Sequence, residues 1–130
     1  LLARFGLTEN AERKAGDLSG GNKRRLHVAL ALAHAPRVLF LDEPTVGMDP
    51  EIRAGFWNEI RRCRTEEGMT VFFTTQYLDE AERHADDMAI IDRGTIVWRG
   101  EVAAFVRQHE AAPGAGLESG YLEFLEAQHA

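Results

Sequence analysis

The chain has a single cysteine in 130 residues, Cys63, so no disulfide can form within it and an intracellular setting is the simplest expectation. No apolar run approaches the roughly 18 to 20 residues that a membrane-spanning helix needs. Nothing at the start resembles a charged-then-apolar leader, so any membrane link is expected to come through a partner. Positive charge is in short supply, with 15 Lys and Arg against 21 Asp and Glu and a net charge of -6. It is also scattered, clustering only at Lys23-Arg24-Arg25 and Arg61-Arg62, which argues against a broad face for nucleic acid. The five histidines, His27, His34, His84, His109 and His129, show no close metal-ligand spacing with cysteine or acidic residues. What is plentiful is apolar content, 45%, enough for one folded, soluble domain.

The chain opens on Leu1-Leu2, and Leu1 to Leu7 reads as the end of a helix closed by Gly6, as expected of a segment cut from something longer. Thr8 to Lys14 reads as a second short helical turn, and both pieces are expected on the surface. From Asn22 to Ala35, Leu26, Ala29, Leu30 and Ala33 recur at helical spacing, and Pro36 stops the run. Val38 to Leu41 is a continuous apolar run, the pattern of a strand buried on both faces of a parallel sheet. Asp49 and Pro50 suit an N-cap and first turn. The helix that follows carries Ile52, Phe56, Ile60 and Cys63 on one stripe and is expected to end near Gly68. Thr70 to Thr75 predicts a strand, Leu78 to Ala85 a helix and Met88 to Ile91 another buried strand. This alternation implies parallel strands with helices packed on the sheet. Arg93-Gly94 should turn the chain into an antiparallel partner, Thr95 to Arg99. Glu101 to His109 reads as a helix, Ala111 to Gly116 as a linker, and Tyr121 to Leu125 as a small final helix that must dock its apolar side.

Three short patterns carry chemistry. A buried apolar strand that ends in Asp42 and Glu43 delivers both carboxylates to the edge where open α/β sheets bind ligands. There one acid can hold Mg²⁺ while its neighbour orients or deprotonates a water during phosphoryl transfer; the pair also suits a plain turn before Pro44. Leu18-Ser19-Gly20-Gly21 runs straight into a helix. Its unobstructed amides and the Ser19 hydroxyl can cradle an anion, although so short a pattern equally serves as a flexible helix entry. Thr74-Thr75-Gln76 closes another strand. Gln76 can donate and accept hydrogen bonds but cannot act as a base, which fits a phosphate or water sensor as well as a polar loop residue.

In this order the three patterns resemble the ABC ATPase family. Leu18 to Asn22 is similar to its signature motif, Val38 to Asp42 to Walker B, Glu43 to its catalytic glutamate, Gly47-Met48-Asp49-Pro50 to its D-loop, and Thr74-Thr75-Gln76 to its switch loop. The resemblance covers Leu1 to Gly100. Thr75 to Ala81 with Ile90 to Gly94 is most similar to the daunorubicin-resistance type of exporter ATPase, and Gly120 to Leu125 faintly resembles that group's terminal helix. Two features depart from the pattern. The switch position holds Gln76 in place of the usual histidine, and no Gly-x-x-x-x-Gly-Lys-[Ser/Thr] loop occurs in the 130 residues, nor the glutamine-bearing loop that normally follows it.

The resemblance implies an α/β fold, a partial P-loop NTPase core of parallel strands with packed helices and a C-terminal β-hairpin. Residues 1–100 would form the C-terminal part of the nucleotide-binding domain, with 1–35 as helical-subdomain end and signature helix and 36–100 as the sheet; 101–130 would be a helical extension with its linker. It implies ATP and Mg²⁺, with Asp42 on the metal, Glu43 polarising water and Gln76 at the γ-phosphate. Ser19, Gly20, Gly21 and Asn22 would meet the ATP of a second cassette, and Asp49 would carry information across the dimer. A homodimer is implied, cytoplasmic and peripheral to the membrane through permease subunits, driving drug or antibiotic efflux. Without the phosphate loop the chain alone is expected to be inactive, or to act as an inert or regulatory cassette piece offering its signature face to a partner; a non-transport ABC ATPase is the other alternative. The Thr70 to Thr75 strand, deprived of a neighbour, is expected to associate with other chains.

Overall fold

The computed structural model describes residues 1–109 and 112–130, and it divides into two compact units, Leu1–Thr74 and Thr75–Ala130.

The first unit contains 3₁₀ turns at Thr8–Asn10 and Ala15–Asp17, then α1 (Gly20–Leu32), β1 (Val38–Asp42), α2 (Pro50–Glu67) and β2 (Thr70–Thr74). β1 and β2 pair in parallel from Val38 opposite Thr70 to Asp42 opposite Thr74, which brings both C-terminal ends to one level. α2 begins and ends as its residues predict. The Asp49 carboxylate accepts from the Ile52 amide at 3.0 Å, and Gly68, at φ 65°, supplies the left-handed residue that turns the chain out of the helix. Leu39 and Leu41 are buried with Val28, Ala29 and Leu32 of α1 and Phe56, Trp57, Ile60 and Cys63 of α2. Each such apolar side chain contributes about 1.5–3 kcal/mol on full burial.

Two expectations change here. Leu1 to Leu7 forms turns rather than a helix end, and it is not superficial, because Phe5 and Leu7 are buried in the same core. Arg25 fastens this segment by donating to the Phe5 carbonyl at 2.9 Å, and the Phe5 and Phe56 rings lie 6.3 Å apart. The β1 run is covered on one face only. α1 and α2 both feed the core around Leu39 and Leu41, leaving Phe40 73% exposed beside Phe72 at 58%, their ring centroids 5.7 Å apart. The apolar run reports the chemistry of both faces, whereas the helices within the unit cover just one.

The second unit contains α3 (Leu78–His84), β3 (Asp87–Asp92), β4 (Thr95–Glu101), α4 (Val102–His109) and α5 (Gly116–His129). β3 and β4 form the expected antiparallel hairpin. Its turn places Arg93 at φ 48° and Gly94 at φ 78°, the two left-handed residues that match the strand twist in a two-residue loop. Among the described residues β3 pairs with β4 alone and joins no parallel neighbour, so the strand-helix alternation does not yield one continuous sheet. Only Ile90 of β3 is buried, with Ile91 exposed, because the hairpin rests one face on α4 and α5 residues. The core gathers Ile90, Val102, Phe105, Leu117 and Phe124. Phe105 stands at its centre, with ring centroids 4.8 Å from Trp98 and 5.5 Å from Phe124.

α5 starts at Gly116, within the expected linker and earlier than the pattern around Tyr121 predicts. Pro113 and Gly114 do break the chain, but fully buried Leu117 anchors an extra turn that composition alone hides. Ala111, also expected in the linker, lies outside the described residues. Among the described residues no helix is long and apolar enough to cross a membrane.

Candidate nucleotide site

At the glycine-rich entry, Ser19 is the N-cap of α1. Its hydroxyl oxygen accepts from the Asn22 amide at 3.3 Å, which leaves the hydroxyl proton to donate outward. A Cβ at Gly20 would meet nothing within 4 Å, and one at Gly21 only the Gly47 carbonyl at 3.8 Å. Internal packing therefore does not demand either glycine; their effect is to leave the amides open to approach from outside. Ser19, Gly20, Gly21 and Asn22 line an open cleft of about 420 Å³ together with Gly47, Met48 and Asp49. Ser19 caps α1 and Asp49 caps α2, so two helix N-termini border one cleft. That of α2 already holds the Asp49 carboxylate, which leaves the α1 N-terminus and Arg24 as the groups that favour an anion.

The acidic strand end lies in the same unit. The Thr74 hydroxyl donates to Asp42 Oδ1, and the Glu43 amide donates to the Thr74 carbonyl at 3.1 Å and to its hydroxyl oxygen at 3.0 Å. Glu43 has φ 43°, a left-handed conformation that costs a non-glycine residue about 1–3 kcal/mol and persists only where surrounding bonds impose it. The Arg24 guanidinium supplies one of these, donating to the Glu43 carbonyl. Asp42 is exposed and lines a hollow of about 310 Å³ with Arg24, His27, Phe40 and Pro44.

Among the described residues no cluster of three or more His, Cys, Asp or Glu is arranged for a metal. Mg²⁺ is commonly held by one or two carboxylates plus phosphate and water oxygens and needs no all-protein cage. Asp42, exposed and with Oδ1 alone engaged by Thr74, is a suitable single protein ligand.

Gln76 belongs to the second unit and is exposed. Its local backbone is tightly specified. The Thr75 hydroxyl accepts from the Tyr77 amide at 3.0 Å and donates to Glu80 at 2.9 Å, and Glu80 is buried at 2% exposure. Sequence reasoning singled out Thr74, Thr75 and Gln76 but missed Glu80, whose place as the third residue of α3 offers no signal beyond an acid in a first turn. It also missed Arg24, visible only as one member of a basic triplet.

A family model described as ABC transporter matches residues 1–46. The daunorubicin/doxorubicin resistance ATP-binding protein DrrA of Streptomyces peucetius is 45% identical over 100 residues, 77% of this chain and 30% of that protein. Over three quarters of its length the chain matches part of an ABC transporter ATP-binding protein. Other ABC relatives include the linearmycin resistance ATP-binding protein of Bacillus subtilis, 42% identical over 75% of this chain and 31% of that protein. The chain thus spans about 30% of the length of these curated relatives. A dimeric bacterial ABC transporter cassette superposes with a TM-score of 0.71 at 27% identity, over 77% of this chain and 43% of its own. The ATP-binding subunit of an ABC transporter shares the fold with a TM-score of 0.80 at 24% identity, over 95% of this chain and 51% of its own. The ABC fold is thus present as a partial domain, with α1 and the acidic end of β1 in one unit.

Proposed function

We propose that the chain is the Walker B and signature portion of an ATP-hydrolysing motor subunit of an ABC exporter, of the kind that removes drugs or antibiotics. The observation that carries this reading is the β1 terminus, where Asp42 stands exposed and Glu43 is held in a strained backbone at the end of a parallel strand pair. Asp42 would hold Mg²⁺, whose role when bound is to neutralise charge on the transferring phosphoryl group. Glu43 orients and deprotonates the attacking water, and Gln76 donates to the γ-phosphate. Ser19, Gly20, Gly21 and Asn22 receive the phosphates of a nucleotide held by a second cassette, and Asp49 communicates across that dimer. Binding energy that favours the closed dimer, released on hydrolysis, would drive permease subunits between states at the cytoplasmic face of the membrane.

None of these groups replaces a phosphate loop, so the 130-residue chain alone neither binds ATP at micromolar concentration nor hydrolyses it; tight Mg-ATP binding by calorimetry would refute this. Joined behind a segment that supplies the missing phosphate loop, it should form an active cassette. In that chimera Glu43→Gln should lower turnover by about 10² to 10⁴ with nucleotide binding intact, the range for losing a general base. Unchanged turnover removes Glu43 from the reaction.

That the residues lining the Ser19 to Asp49 cleft all lie within one unit supports a second reading, a binding role in which the chain lends its signature face to an intact cassette. In that case the added chain stimulates an intact cassette's hydrolysis while Glu43→Gln in the chain leaves the stimulation unchanged.

A further inference from the structure

We propose that Arg24 is a positioning residue that ties the phosphate-facing helix to Glu43, so that occupancy of the α1 cleft sets the readiness of the same cassette's own hydrolytic carboxylate. The proposal rests on the reading of Glu43 as the water-activating group.

Four observations within one unit carry it. Glu43 occupies a left-handed conformation at φ 43°, which must be imposed from outside. On its amide side it is held by the Thr74 carbonyl at 3.1 Å and hydroxyl at 3.0 Å. On its carbonyl side the bonds come from the Arg24 guanidinium and, at a long 3.4 Å, from the Val46 amide. Arg24 also lines both the cleft of Ser19 to Asp49 and the hollow of Asp42.

Arg24 lies near the start of α1, five residues beyond its N-cap Ser19. A phosphate that draws the α1 N-terminus toward itself therefore moves the guanidinium, and with it the Glu43 peptide. Because the α1 cleft would serve the opposite nucleotide and Glu43 its own, this link makes hydrolysis at one site depend on occupancy of the other. Guanidinium suits the task, being permanently charged and carrying several donors in a fixed plane.

The test has two arms. In the complete chimeric cassette, Arg24→Met should lower kcat by about 10- to 100-fold, as for a displaced reacting group. KM for ATP should stay unchanged and the cooperativity in ATP should be lost; Arg24→Lys, which keeps a cationic donor, should restore much of both. Wild-type kcat and cooperativity in Arg24→Met, alongside an inactive Glu43→Gln, overturn the link alone. An active Glu43→Gln overturns the catalytic reading with it. In the 130-residue chain, hydrogen exchange followed by NMR should show Arg24→Met accelerating the Glu43 and Val46 amides while Leu39 to Leu41 keep their protection. Equal acceleration across β1, or failure of the variant to fold while Arg24→Lys behaves as wild type in every assay, makes Arg24 a structural prop and overturns the proposal.

Discussion

The two units treat local rules differently. In the second, the left-handed non-glycine residue, Arg93, sits in a two-residue hairpin turn whose twist requires that conformation, and Phe105, Leu117 and Phe124 close a core over α4 and α5. In the first, two features of the acidic strand end have no such turn to explain them. Glu43 is left-handed outside any hairpin turn, and Asp42 stands exposed at the end of an apolar strand. Departures from consistency concentrate where function is placed, and here they gather around the acidic strand end and the sheet that bears it.

The contrast can be broken by experiment, and each unit holds one tryptophan, Trp57 in the first and Trp98 in the second, as its reporter. Phe105→Ala should cost about 3–5 kcal/mol. With Trp57 replaced by phenylalanine, the Trp98 fluorescence should then be lost at much lower denaturant. With Trp98 replaced instead, Phe105→Ala should leave the Trp57 transition nearly in place, and a matching shift of both would show one cooperative block. A smaller effect is expected of Asp49→Ala, which removes the α2 cap at a cost of about 1 kcal/mol. It should move the Trp57 midpoint alone and be largely reversed by Asp49→Ser, as a denaturation series can check.

The smallest effect concerns pH. His129 lies 2.9 Å from Asp92, and that hydrogen bond holds the Asp92 carboxyl below its ordinary range. A depressed carboxyl contributes stability above its unfolded pKa and loses it as pH falls through the folded value. Because Asp92 is solvent-accessible, the gain is small. His129→Ala should let Asp92 titrate higher in an NMR carboxyl titration; an unmoved midpoint would show that the pair does not persist in solution.

Much of this was legible in the residues. Asp49-Pro50 and Gly68 mark the ends of α2 because caps are local devices, and Arg93-Gly94 marks its hairpin for the same reason. The placement of Ser19 at a helix entry and of Asp42-Glu43 at a strand end likewise follows from short-range pattern, although the helix begins at Gly20, two residues before the expected Asn22. What escaped depends on distant partners. An apolar run does not say which of its faces is covered, so Phe40 reads as buried. Phe5 and Leu7 are too few to show a period, and only α2 makes them core. Arg24 becomes informative when the chain returns Glu43 to it, and Glu80 when Thr75 turns back on α3.

Cys63 is wholly enclosed in the first unit, and burial pushes its thiol up from the usual range, so little thiolate is available to an electrophile in the native chain. Its reaction with a thiol-directed reagent would therefore time the opening of that unit, a built-in stopwatch needing no added label. Silent until then, it leaves the rest of the surface free for a single engineered cysteine that reports without competition.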